Sequence, residues 1–144
     1  MAEKIKDSDL ARQADQEKHH ARHPHNENFL AQTGLVAVDV AAEIARLKGE
    51  PAWAGGDRHG SSLVKGDGIN VALMMLKKGA KLQEHHTRAP VTVHVIEGRI
   101  NFIANGKTQP VTRGMIVALD RAIEHSVEAV EESALVLTVG GEQM

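Results

Sequence analysis

The fold is decided by Gly79-Ala-Lys-Leu-Gln-Glu-His85-His86-Thr87-Arg-Ala-Pro90-Val-Thr-Val-His94-Val-Ile-Glu97-Gly98. A glycine opens a turn, a histidine pair follows, and a proline restarts the chain as a strand that runs into a second glycine turn. The layout recurs near the end of the chain, where Gly114 precedes a strand and His125 follows it. Short strands separated by glycine turns predict a mainly β protein, a small barrel with histidines near its mouth.

The segments on either side of this stretch carry the same β pattern. Asn70–Leu76 is almost continuously apolar, which is typical of a strand covered on both faces. Asn105-Gly106, directly after the strand Arg99–Ala104, is a strong signal for a two-residue hairpin turn. Near the end of the chain His125–Val130 alternates between apolar and polar residues, and Ala134–Val139 is predicted as the last strand.

Two segments precede the predicted barrel, which we place at residues 53–144. Residues 29–52 form a lead-in and a helix, Val40–Lys48, which Asp39 caps and which packs on the outside of the barrel. Residues 1–28 form a polar arm that carries four histidines, His19, His20, His23 and His25. A solvated linker is the favoured interpretation of this arm, and weak binding of a divalent metal is the alternative.

Composition excludes several classes of function. The 144 residues carry a net charge of −2, which gives no electrostatic reason to bind nucleic acid. There are no cysteines, so disulfides and thiolate zinc sites are excluded. No apolar run reaches the ~20 residues of a membrane span and the N-terminus is no signal peptide, so we expect a cytoplasmic protein without a membrane partner. Phosphate-loop and dinucleotide fingerprints are missing, which predicts no nucleotide cofactor.

From about Ser61 to Gly140 the chain resembles the small single-domain, RmlC-like cupins, which fold as a double-stranded β-helix or jelly-roll barrel. The first cupin motif is a glycine, five residues, His-x-His, then a glutamate and a glycine. Gly79, five residues and His85 follow that spacing. Thr87 stands where the second histidine belongs, and Val91 stands at the glutamate position.

The second cupin motif has its counterpart near the end of the chain. The motif is a glycine, five residues, Pro-x-Gly, two residues and a histidine. Here Gly114 is followed by five residues, then Asp120-Arg-Ala122, two residues and His125. The proline and the glycine are replaced, and the histidine is present.

The resemblance implies a degenerate metal site near the barrel mouth. His85 and His125 take ligand positions for a divalent ion such as Fe, Mn, Ni or Zn, and spacing does not choose among these ions. His86 and His94 are further candidate ligands, although strand alternation directs His94 outward if Val91 points inward. Three positions of the same stretch are predicted to line the pocket, Thr87, Val91 and Val93.

Two functions follow from this reading. The first is a cupin barrel that binds a small molecule and is built as a homodimer, because the doubly apolar Asn70–Leu76 needs a cover on its outer face. The alternative is a metal-dependent enzyme of the oxygenase or isomerase type that uses the barrel histidines. A regulatory module whose histidine arm responds to metal or pH is a third, weaker hypothesis.

Overall fold

A computed structural model describes residues 29–85 and 88–140 of the chain. Within these ranges three helices come first: α1 (Leu30–Thr33), α2 (Val40–Lys48) and α3 (Pro51–Ala54). The predicted helix has the predicted bounds, and the side chain of Asp39 caps it by accepting a hydrogen bond from the amide of Ala42 at 3.0 Å. The short α3 falls at the start of the segment that we assigned to the barrel.

Nine strands follow in the described ranges, and most of them match the predicted segments to within a few residues. They are β1 (Arg58–Lys65), β2 (Ile69–Leu76), β3 (Lys81–His85), β4 (Val91–Glu97), β5 (Arg99–Ala104), β6 (Lys107–Thr112), β7 (Ile116–Leu119), β8 (His125–Ala129) and β9 (Ser133–Gly140). Strand β3 was not predicted, because Leu82 is its one apolar residue. Asn105 and Gly106, with φ angles of 53° and 72°, form the predicted turn between β5 and β6.

The strands form two antiparallel sheets, in the orders β1-β2-β9-β4-β7 and β3-β8-β5-β6. Strand β9 pairs with β2 and β4, and β8 pairs with β3 and β5, so that strands from both halves of the chain interleave. This interleaved order is that of a jelly-roll barrel. The prediction of a mainly β, double-stranded β-helix barrel with an N-terminal helical segment is confirmed.

A continuous apolar core lies between the two sheets. It contains Met74 and Leu76 of β2, Val93 and Val95 of β4, and buried residues of both sheets that include Leu82, Ile100, Phe102, Val111, Val127, Leu135 and Leu137. Burial of this set supplies the main stabilisation of the barrel, at about 25 cal/mol per Å² of apolar surface removed from water.

Strand β2 is covered on both faces, as its sequence predicted. Its inward residues join the barrel core, whereas Leu73 and Met75 face outward and pack with Leu47 of α2 and Trp53 of α3. The cover of the outer face is therefore the helical segment of the same chain. Trp53 belongs to this helix layer rather than to the barrel.

A chain of polar contacts fastens the helices to strand β1. His59 is 5% exposed, and its Nε2 lies 2.7 Å from Glu50 Oε1. The other oxygen of Glu50 accepts a hydrogen bond from Arg46, whose guanidinium also pairs with Glu43 at 2.8 Å. Of these two carboxylates, only that of Glu50 contacts both the buried imidazole of His59 and the exposed guanidinium of Arg46.

We predict that Glu50→Ala lowers the free energy of unfolding by about 1–3 kcal/mol, because it removes the partner of a buried histidine. Glu43→Ala is the matched control, since both carboxylates pair with Arg46 and their side chains are similarly exposed, at 34% and 29%. That control should cost at most about 1 kcal/mol, as an exposed ion pair does. Urea denaturation measures the free energy of unfolding of both variants. Equal losses of stability would contradict the role given to the contact between His59 and Glu50.

Gly98, the glycine that closes the stretch quoted first, joins β4 to β5 with a φ of +92°. A Cβ at this position would overlap with the carbonyl oxygen of Glu132 and the hydroxyl of Ser133, and it would lie 2.7 Å from the Cα of Ser133. Both the backbone conformation and the close approach of the β8–β9 connection therefore require glycine.

Gly98→Ala should destabilise the protein by about 2–5 kcal/mol, the sum of a left-handed backbone penalty and overpacking. Gly79→Ala separates the two causes. Gly79 has a similar φ of +89°, and a Cβ there meets nothing within 4 Å. This control should cost only about 1–2 kcal/mol. Thermal and urea denaturation of the two variants would refute the steric argument if their losses were equal.

Candidate functional site

The histidines of the two cupin-like motifs, His85 and His125, lie at the same end of the barrel. His85 ends β3 and His125 begins β8, and the two residues are directly opposite each other in the antiparallel pairing of these strands. Val91 begins β4 and is paired with Leu119, the last residue of β7. The same end therefore gathers His85, His125, Val91 and Leu119, and we name it the barrel mouth.

A one-residue bulge sets the pairing of the two histidines. Leu82 is paired with Val127, and the register shifts before His85 is paired with His125. Three steps along β3 thus correspond to two steps along β8, which is how a β-bulge re-aims the residues beyond it. The alternation of a regular strand would not have placed His85 opposite His125.

The imidazole of His125 is held in a defined orientation. The residue is 3% exposed, and its ring stacks on Phe102 with centroids 5.4 Å apart and planes 10° apart. Its Nδ1 lies 3.0 Å from the carbonyl oxygen of Ile123. Because a carbonyl only accepts hydrogen bonds, Nδ1 carries a proton, and in the neutral ring Nε2 carries the lone pair.

The turn that supplies this carbonyl lies between β7 and β8. Ala122 has a φ of 67°, a left-handed conformation that costs a residue with a side chain about 1–2 kcal/mol. Asp120 accepts a hydrogen bond from the amide of Arg121 through Oδ1 at 2.8 Å. The turn keeps its left-handed position although alanine stands where the cupin motif has glycine.

The remaining predicted site residues are placed differently. Val91 and Val93 are buried at 2% and 3%, and Val93 is part of the barrel core. His94 lies on the opposite face of β4, where it is half-buried and paired with Ile116 and Val136. The structure therefore does not bring His94 to the face that His125 occupies. His86 and Thr87 lie outside the described residues.

The described part of the chain contains no group of three or more His, Cys, Asp or Glu residues placed to hold a metal ion. The cupin glutamate position carries Val91, which has no donor atom. His125 fits the role of a ligand, because its Nε2 has the lone pair and its Nδ1–H is bonded to a carbonyl. The backbone pairing of His85 with His125 thus brings the two motif histidines to the same place in the ladder, and no carboxylate stands at the position where the motif predicts one.

A cleft of about 440 Å³ lies at the same end of the barrel, where β4, β7 and β9 meet. Its lining is mainly apolar or uncharged, with one carboxylate at the start of the β7–β8 turn: Pro90, Val91, Thr92, Ala118, Leu119, Asp120, Thr138 and Gly140. A small apolar group fits such a surface.

Sequence reasoning missed the residues that orient His125. Phe102 follows a β pattern that explains it fully as a core residue, and nothing in the sequence marks it as a ring beneath a histidine. The carbonyl of Ile123 is a backbone group, which a search for functional side chains does not find. The absence of Pro and Gly from the second motif was the available signal that this turn is unusual.

Comparisons with known proteins agree with this architecture. The cupin domain model matches residues 72–140. An RmlC-like cupin from Shewanella frigidimarina is similar over 62% of this chain and 80% of its own, with 19% identity and a TM-score of 0.58. A conserved protein of unknown function from Streptococcus pyogenes is similar over 60% of this chain and 76% of its own, with 21% identity and a TM-score of 0.57.

A metalloprotein is also among the similar structures. The oxalate decarboxylase of Bacillus subtilis, which has Mn(II) centres, is similar over 54% of this chain and 22% of its own, with 19% identity and a TM-score of 0.50. No curated protein matches the chain.

The interleaved sheets, the match of residues 72–140 and the similar structures define a cupin domain, a double-stranded β-helix barrel. This chain contains a small cupin domain, preceded by helices that cover one face of the barrel. In the described residues no helix is long and apolar enough to cross a membrane.

Proposed function

We propose that this cupin barrel binds a small molecule at its mouth, the end at which His85 pairs with His125 and Val91 pairs with Leu119. The observation that carries the proposal is the pairing of His85 with His125, where His125 is buried and has an oriented ring. A buried polar group with a fixed orientation is a usual feature of a small-molecule site. A mainly apolar cleft lies at the same end of the barrel.

The metal site is proposed to be degenerate. A catalytic metal typically has about three protein ligands and an open position. His85 and His125 supply two imidazoles, and Val91 supplies no ligand at the glutamate position. Two imidazoles favour weak binding of Fe, Mn, Ni or Zn without strong selection among them.

A metal-dependent enzyme of the oxygenase or isomerase type is the second candidate. It is favoured by the hydrogen bond from His125 Nδ1–H to the carbonyl of Ile123, since ligating histidines usually donate their other N–H to such an acceptor. A bound ion would supply Lewis acidity for a substrate oxygen. In this reading His85 and His125 hold the ion, and His86 would complete the donor set.

Elemental analysis of the full chain, purified without an affinity tag, separates the two candidates. We expect well under one metal ion per chain, together with thermal stabilisation by a small ligand found by screening. A variant in which His19, His20, His23 and His25 become alanine removes metal held by the arm. One ion per chain that persists in this variant and disappears in a His85→Ala, His125→Asn double variant would instead establish the metalloenzyme.

We also propose that the protein is a homodimer. The proposed contact is not the apolar strand Asn70–Leu76, from which the sequence analysis predicted the dimer. The outer face of β2 is covered by α2 and α3 of the same chain. The edge strand β7 is the better-supported contact, because Ile116 is 60% exposed and the adjacent Met115 is 41% exposed. The cytoplasmic location stays a prediction.

Light scattering after size exclusion tests the dimer. Ile116→Lys should shift the protein towards the monomer, because it places a charge in an apolar contact. Leu35→Lys is the control, since Leu35 is 79% exposed and lies outside β7. A wild-type protein that is monomeric at all concentrations, or an unchanged Ile116→Lys variant, would rule out this interface.

A further inference from the structure

The two-residue hairpin at Asn105-Gly106 brings a lysine to the barrel mouth. Ala104, the last residue of β5, is paired with Lys107, the first residue of β6. On the other side of β5, Ala104 is paired with His125. Lys107 therefore lies in the same cross-strand row as His125, two strand spacings or about 10 Å away, with Ala104 between them.

Lys107 belongs to the inner face of the barrel. Ile100 is paired with Val111, and both residues are fully buried in the barrel core. The pairing of β5 with β6 continues from there to Ala104 and Lys107 without a register shift. Since alternate residues of a strand share a face, Lys107 lies on the same face as Val111.

The inner face becomes open to solvent towards the mouth. Val111 is 0% exposed, whereas Gln109 and Lys107, the preceding residues on the same face of β6, are exposed. Ala104 and Leu119 are half-buried, and both pack against the barrel core. The accessible inner surface on this side of the mouth thus combines apolar side chains, an amide and one cation.

The charge of Lys107 is not used within the part of the chain that the structure describes. Its ammonium has no ion-pair or hydrogen-bond partner among residues 29–85 and 88–140. Lys48, by contrast, pairs with Glu97 and Glu132. An accessible cation beside apolar side chains is a composition that suits an anionic ligand with an apolar body.

We propose that the ligand of the mouth is a small organic carboxylate, whose apolar body lies over Ala104 and whose anion pairs with Lys107. The tight hairpin, with φ angles of 53° and 72° at Asn105 and Gly106, fixes the backbone of Lys107 at this place. A single ammonium matches one negative charge, which favours a carboxylate over a phosphate dianion. This inference rests on the proposed function, because it names the class of ligand for the same site.

The first experiment compares benzoate with benzamide, which has the same ring and nearly the same shape without the charge. Calorimetry on the full chain at low salt should show that benzoate binds about fivefold more tightly, the effect of an exposed ion pair. The preference should shrink at high salt, because the pair is then screened. Acetate, which has the charge without the ring, should bind more weakly than benzoate.

The matched control moves the cation without removing it. The double variant Lys107→Thr, Thr108→Lys keeps the composition and the net charge, and it places the ammonium on the outer face, where residue 108 is paired with Ile103. The preference for benzoate should disappear, while benzamide binds as it does to the wild type. Thermal denaturation shows whether the variant is folded, and Lys107→Gln, a single change at an exposed position, should give the same loss.

The outcomes separate this inference from the proposed function. Equal binding of benzoate and benzamide by the wild type, no binding of benzoate at millimolar concentrations, or a preference that survives in both variants would overturn the carboxylate class. A neutral ligand found by the stability screen, for a protein without that preference, would leave the small-molecule site in place. Failure of every compound in the screen, benzoate included, would count against the site itself.

Discussion

The pairing of β3 with β8 is the constraint on which the barrel mouth depends. Strand β8 lies between β3 and β5, so its first residue is fixed by ladders on both sides. The bulge in β3 then places His85 opposite His125, a relation that a regular ladder would forbid. Because both neighbouring strands are anchored in the core through Leu82 and Phe102, the two histidine positions cannot slip independently.

Much of the fold was predictable because it depends on local rules. Glycine turns, the Asn105-Gly106 hairpin and the apolar runs fix where strands begin and end, and the double coverage of β2 follows from its composition. Strand β3 was missed because Lys81–His85 has a single apolar residue, and pairing with β8 rather than its own pattern makes it a strand. Tertiary pairing is not visible in such a short polar segment.

The site was predictable in part and for a clear physical reason. Motif spacing identifies which residues come to the mouth, since spacing reflects the length of the strands and turns. It does not reveal a bulge, a backbone carbonyl or a ring beneath a histidine. Alternation correctly directed His94 away from Val91, because β4 is regular beside β7, whereas the same rule fails in β3, where the register shifts. Alternation therefore predicts the direction of a side chain only where the register with the partner strand does not shift.

Two buried histidines of this chain illustrate how the partner, rather than the residue type, decides a role. His59 meets the carboxylate of Glu50, a contact that satisfies the buried ring and fastens the helices to the sheet. His125 meets a backbone carbonyl and an aromatic face, which fix the direction of its nitrogens without supplying a formal negative charge. The first arrangement suits a structural link, since both partners belong to the protein. The second fixes the orientation of a buried ring at the barrel mouth, which is a feature that the proposed small-molecule site would use.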